Sequence, residues 1–189
     1  RVFYITTNAT IQNLTITNGS ADKGGGIFID TLVNDIELQI LNSTISDNNA
    51  TDAGGGIYTK VEYNTATLNI ESSEISGNTT DGNGGGIYST GSSMAGYNYY
   101  AYLTITYSTI SGNTASYSGG GIYNGSYGTA TIDNSIITGN SADSGGGIYN
   151  SNYGYLNIYN SSYIYNNTAS SSGGGIYNGS YGTATIDNS

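Results

Sequence analysis

The 189-residue chain has no cysteine, proline, tryptophan or histidine, and only three basic residues: Arg1, Lys23 and Lys60. Without cysteine there are no disulfide staples and no thiolate metal sites, and the redox compartment is left open. Without proline, tight turns fall to Gly, Asn, Asp and Ser. Three bases against thirteen acids give a formal charge of −10, which makes nucleic acid and anionic membrane surfaces poor partners. No apolar run approaches membrane-spanning length. No charged-then-apolar start resembles a signal peptide.

What the chain has in excess is glycine (30) and tyrosine (20). Gly-Gly-Gly followed by Ile and an aromatic occurs six times, starting at Gly24, Gly54, Gly84, Gly119, Gly145 and Gly173, in steps of 30, 30, 35, 26 and 28 residues. A period of this length marks a solenoid, one short supersecondary unit stacked on itself. Upstream of each glycine run lies a pattern of the form apolar-x-Ile-x-x-Ser-x-Ile-x-x-Asn-x-Ala, best seen at Leu103, Ile105, Ser108, Ile110, Asn113 and Ala115. The copy at Leu156–Ala169 carries one extra residue between Ile158 and Ser162. Apolar and polar residues alternate in these segments, which is the period of a strand and not of a helix.

The pattern predicts an all-β right-handed parallel β-helix of about six coils, each with three short strands, over residues 1–189 as a single unit. Successive coils would sit about 4.8 Å apart, making a rod of roughly 30 Å. Ile27, Ile57, Ile87, Ile122, Ile148 and Ile176 would stack as an inward ladder. Asn48, Asn78, Asn113, Asn140 and Asn167 would form an amide ladder. The glycines would serve corners that need positive φ or close approach between coils. Residues 173–189 repeat residues 119–135 letter for letter, and neither end reads as a cap. The expectation is a segment of a longer array, or a unit stacking end to end.

Ile-Ser-Gly-Asn-Thr-Ala at 110–115 and Gly-Gly-Gly-Ile-Tyr-Asn at 119–124 resemble the repeats of chlamydial polymorphic outer-membrane proteins. They also resemble related right-handed β-helix surface proteins of bacteria and archaea, including adhesin-like proteins. The Phe-x-x-Asn element of the chlamydial repeats is absent, its place taken by Ile-Ser-Gly-Asn or similar residues. The resemblance implies a secreted or surface-anchored protein acting as an adhesin, passenger or envelope component.

β-Helices also include polysaccharide lyases and hydrolases. These need carboxyls at a defined separation, or a base with a metal or basic partner. Here the acids are scattered, no histidine exists, and the bases all lie in the first 60 positions. Asp133 and Asp187 share a column with Tyr159 between them, while Glu71 and Glu74 are neighbours without repeat support. Catalysis by this segment is therefore not expected.

Three features are candidates for binding. Asp22, Asp52, Asp81 and Asp143 lie just before glycine runs and form a candidate calcium column; the alternative is that each caps its own turn. No other cofactor is implied. Phe28, Tyr58, Tyr88, Tyr123, Tyr149 and Tyr177 follow the inward isoleucines and should form an outward aromatic stripe, suited to sugar stacking or to packing against another rod. Lateral stacking within the sheet is the alternative. The longest insertion, Ser89–Tyr102, carries Tyr97, Tyr99, Tyr100 and Tyr102 and should leave the rod as a loop. Of ten Asn-x-Ser/Thr sequons, Asn78 falls in the inward ladder, and Asn124 and Asn178 are the candidate glycan sites. An ice-binding array would need outward threonines on consecutive coils, which the chain does not sustain.

The function expected is a non-catalytic structural and adhesive rod of an extracellular, cell-surface protein or fibre. Its partners would be glycans or proteins of another cell, or like chains. One alternative is a carbohydrate-active β-helix with catalytic coils outside this segment. The other is a self-assembling filament subunit.

Overall fold

A computed structural model describes residues 1–188. Among them there is no helix, and the chain winds as a parallel β-solenoid. Four parallel sheets run along it. Sheet A has seven strands, from Phe3–Ile5 to Ile176–Asn178, and sheet B seven, from Ala9–Gln12 to Thr183–Asp187. Sheet C has six, from Thr15–Thr17 to Tyr163–Tyr165, and sheet D six, from Ser20–Lys23 to Thr168–Ser172. Each turn thus carries four strands where the sequence pattern predicts three. The additional strand is that of sheet D, whose inward side chains are Ala50, Thr80, Ala115 and Ala142. Side chains this small give none of the large-apolar alternation by which a strand is recognised.

Equivalent letters lie over each other. In sheet A, Ile27 pairs with Ile57, Ile57 with Ile87, Ile87 with Ile122, and Ile122 with Ile148. All five are fully buried. Sheets B and C contribute Leu38, Ile40, Leu68, Ile70, Leu103 and Ile105, and Ile45, Ile75, Ile110 and Ile137, to the same core. Each such side chain contributes on the order of 2 kcal/mol by leaving water.

The corners repeat as well. The sheet B to C corner takes positive φ at Asn13, Asn42, Ser72, Tyr107 and Asn134. The C to D corner does so at Asn18, Asp47, Gly77, Gly112, Gly139 and Asn166. Asn, Asp and Gly reach this left-handed region at least cost, which is why they recur there. The extra residue near Ser162 is absorbed at the first of these corners, where Asn160 and Ser161 both have positive φ (43° and 50°).

The glycine run closes the D to A corner, and its three residues have different jobs. The first has φ between 59° and 69° in all six copies. The second and third sit against the next turn. A Cβ on Gly120 would lie 2.5 Å from the Gly146 carbonyl oxygen, and one on Gly121 would lie 2.7 Å from that of Gly147. The Gly121 position also has the Asn140 side chain at 3.1 Å. Glycine and asparagine are therefore one device: absent Cβ atoms make room for the amide ladder.

In that ladder Asn113 donates from Nδ2 to Asn140 Oδ1 at 3.0 Å and to the Ile75 carbonyl at 2.9 Å. Its Oδ1 accepts from the Asn78 backbone N–H and Nδ2, both at 2.9 Å. Asn48, Asn78 and Asn140 repeat the arrangement. A serine ladder runs beside it. Ser108 Oγ donates to the Thr106 carbonyl at 2.7 Å and accepts from the Ser73 N–H at 3.0 Å.

Candidate functional site

The aromatic stripe exists as a continuous stack. Ring centroids step from Tyr4 to Phe28 and Phe28 to Tyr58 at 5.2 Å each. They continue through Tyr88, Tyr123, Tyr149 and Tyr177 at 4.8–5.2 Å, with interplanar angles of 9° or less. Phe28 and Tyr58 are buried, packed with Ala53. Arg1 and Lys23 lie over the rings at this end, the Lys23 ammonium 5.4 Å from the Tyr58 centroid.

This geometry decides what the stripe offers. Tyr88, Tyr123 and Tyr149 each have a parallel ring on both faces, while Tyr58 has Tyr88 parallel on one face and Phe28 tilted by 31° on the other. A sugar stacks on an aromatic face, and these faces are already covered by their neighbours. Its inner rings present edges and hydroxyls, so lateral stacking is their arrangement and they offer no free face as a sugar platform.

Burial also raises the phenol pKa of Tyr58 and Tyr149, and that of Tyr88 most strongly, with adjacent tyrosines adding to the shift in Tyr88 and Tyr149. A raised folded-state pKa means that the native chain keeps protons which the unfolded chain sheds above about pH 10. The contribution of these phenols to stability is therefore constant below that pH and is lost as pH rises above it. A series of melting curves from pH 8 to 11 is expected to show this decline, and a shallower one in Tyr88→Phe.

The structure holds a second aromatic column that the repeat pattern does not predict. Tyr100, Tyr127, Tyr153 and Tyr181 lie one above another at the sheet A to B corner, each backbone N–H from Tyr127 onward donating to the next tyrosine's carbonyl. Tyr127–Tyr153 and Tyr153–Tyr181 stack at 6.2 and 5.3 Å, while Tyr100 meets Tyr127 edge-on at 6.4 Å. The signal was present in Gly125–Gly128, Ser151–Gly154 and Gly179–Gly182, where a tyrosine precedes glycine in each turn.

The insertion is a β-hairpin and not an irregular loop. Ser92–Met94 pairs antiparallel with Tyr97–Tyr99, and Ala95 and Gly96 (φ 53° and 84°) make the two-residue turn. Tyr99 packs against Val61, Ala66 and Ala101 and meets Tyr63 edge-on at 6.2 Å. Tyr97 stays 69% exposed.

The other candidates fare differently. Asn124 is fully buried, against the expectation that it accepts a glycan. Strand alternation explains this: Ile122 points in, Tyr123 out, and Asn124 in again. It begins a second amide ladder, donating to Asn150 Oδ1 at 2.7 Å, while Asn150 donates to Asn178 Oδ1 at 2.6 Å. Asn178 is exposed but bonded to the Gly182 carbonyl.

The aspartates Asp22, Asp52, Asp81 and Asp143 form no continuous column. Asp52 pairs with Lys23 at 3.1 Å, Asp22 accepts from Thr51, and Asp143 accepts from Ser170. Among the described residues no three acidic side chains gather in a way that would hold a metal ion. Asp133 and Asp187 do flank Tyr159 in one column.

The fold and its repeated skeleton define a parallel β-solenoid repeat protein. Four stretches, residues 42–60, 72–90, 107–125 and 161–179, match the family model of the Chlamydia polymorphic membrane protein repeat. These four stretches resemble that repeat and together cover less than half of the chain. Each match runs from the B to C corner through the serine, asparagine and glycine positions into sheet A. Sheet B and most of the A to B connection lie outside it. No curated protein and no solved structure matches the chain.

Proposed function

We propose that this chain is a non-catalytic, adhesive rod segment of a protein displayed on the cell surface. The observation that carries the reading is the continuity of the ladders. Four sheets, one asparagine column and one serine column pass from turn to turn across the core. Force or protease acting on one turn meets backbone and side-chain bonds to the turns on either side. Such a column suits holding binding groups away from a cell, and the repeat family supports a surface location.

The test uses protein-coated beads on cultured epithelial cells, with protease digestion and polysaccharide incubation in parallel. The beads are expected to attach, the protein to survive proteolysis below its melting temperature, and the polysaccharides to keep their length. Release of reducing or unsaturated sugar ends would overturn the non-catalytic reading. Beads no stickier than albumin-coated ones would overturn the adhesive one.

A further inference from the structure

We propose that the notch between Tyr63 and the hairpin at residues 92–99 binds a neutral pyranose glycan; this rests on the adhesive reading and names its ligand. The argument begins with ring faces. In the sheet A column the inner rings cover one another, so a flat ligand must use tyrosines outside it. Tyr97 is 69% exposed and Tyr63 50% exposed. Tyr97 has no ring neighbour, and Tyr63 meets Tyr99 edge-on with an interplanar angle of 75°. The rings of Tyr63 and Tyr99 stand like floor and wall.

The hairpin holds this shape rigidly. Ser92, Met94, Tyr97 and Tyr99 share one face of it, by the register Ser92–Tyr99 and Met94–Tyr97. At the base of that face Tyr99 is locked onto Val61, Ala66 and Ala101. Ser92 Oγ donates to the Glu62 carbonyl at 3.1 Å, tying the hairpin to the turn that carries Tyr63. Beyond the base, Met94 and Tyr97 project into solvent, 41% and 69% exposed. A preorganised aromatic corner loses little freedom on binding.

Charge selects the ligand. Residues 82–132 contain no Asp, Glu, Lys or Arg. In the turn that the hairpin is tied to, Lys60 and Glu62 pair at 2.8 Å and neutralise each other. Nothing there would hold a sulfate, a sialic carboxylate or a basic peptide. A neutral pyranose offers what the notch lacks partners for: an apolar C–H face for a ring, and hydroxyls for the phenol groups.

The test titrates the whole chain with cellohexaose, chitohexaose and a heparin hexasaccharide, following tyrosine side-chain NMR signals and binding heat. At least one neutral hexasaccharide is expected to bind with a Kd of about 1 mM or tighter. Tyr97→Ala and Tyr63→Ala should each weaken it about fivefold, the size of one aromatic contact. Tyr107→Ala is the control: that ring is 65% exposed and stands alone, so its removal should change nothing. Unchanged circular dichroism and melting in all variants would separate loss of the site from loss of the rod. The proposal falls if no neutral oligosaccharide binds at about 10 mM. It also falls if Tyr97→Ala binds as well as the parent, if heparin is preferred, or if only a protein ligand is captured at the notch.

Discussion

Gly120→Ala is expected to split the solenoid at its middle. The new methyl would stand 2.5 Å from the Gly146 carbonyl oxygen and 2.4 Å from that of Ser141, and both are backbone atoms of the following turn. No side-chain rotation relieves such a clash. The two turns must part, weakening the Gly120 N–H bond to Gly145 (3.2 Å) and the Gly121 bonds beyond it. A loss of about 3 kcal/mol or more is expected, at the upper end of overpacking effects. Melting should fall by roughly 10 °C for a chain of this size. Because turns in a solenoid contact only their neighbours, the transition should also broaden or divide. Gly175→Ala is the contrast, since a methyl there meets only Ile164 Cγ2 at an ordinary 3.5 Å. Equal melting temperatures for the two variants would show that the close approach of the glycine runs is not what sets the turn spacing.

Asn113→Ala should be nearly as damaging, for an electrostatic reason. Its amide touches four partners: the Asn78 backbone N–H, the Asn78 side chain, the Ile75 carbonyl and the Asn140 side chain. All lie in the core, where water cannot replace the lost partner. Each stranded group costs about 1–3 kcal/mol, so a total of about 4 kcal/mol is expected once relaxation is allowed for. Asn113→Asp should be no better, because a carboxylate has no donor for Ile75 or Asn140. Chemical denaturation read by circular dichroism checks both. Asn178→Ala, at an exposed rung, should cost well under half as much. If Asn113→Ala melts with the parent, the ladder holds nothing together.

The inward columns of this fold were legible because packing forces the same residue to recur wherever turns stack. Ile27, Asn113 and the glycine runs recur from copy to copy of the repeat, and the register pairs them as expected. Sheet D was illegible because its interior positions hold alanine and threonine, which carry no strand period. Asn124 is inward and not a surface glycan site because in Ile-Tyr-Asn the residue two after an inward isoleucine also points inward. For the tyrosines, sequence told that Tyr88 and Tyr123 align and point outward. It did not tell that neighbouring rings lie flat on one another within 1° and 4.9 Å. Whether a face is free depends on side-chain angles, which no repeat period encodes.

The connection from sheet A to sheet B spans five residues at 61–65, ten at 91–100 and three at 125–127. On either side of it the backbone register is undisturbed. Elsewhere the turns differ by single residues, taken up by a bulge in sheet D or the doubled corner at Asn160 and Ser161. Selection therefore has one port at which segments of arbitrary length can be exchanged without reopening the question of folding. A lineage building such proteins would vary its surface there, much as an instrument changes tools on a fixed shaft.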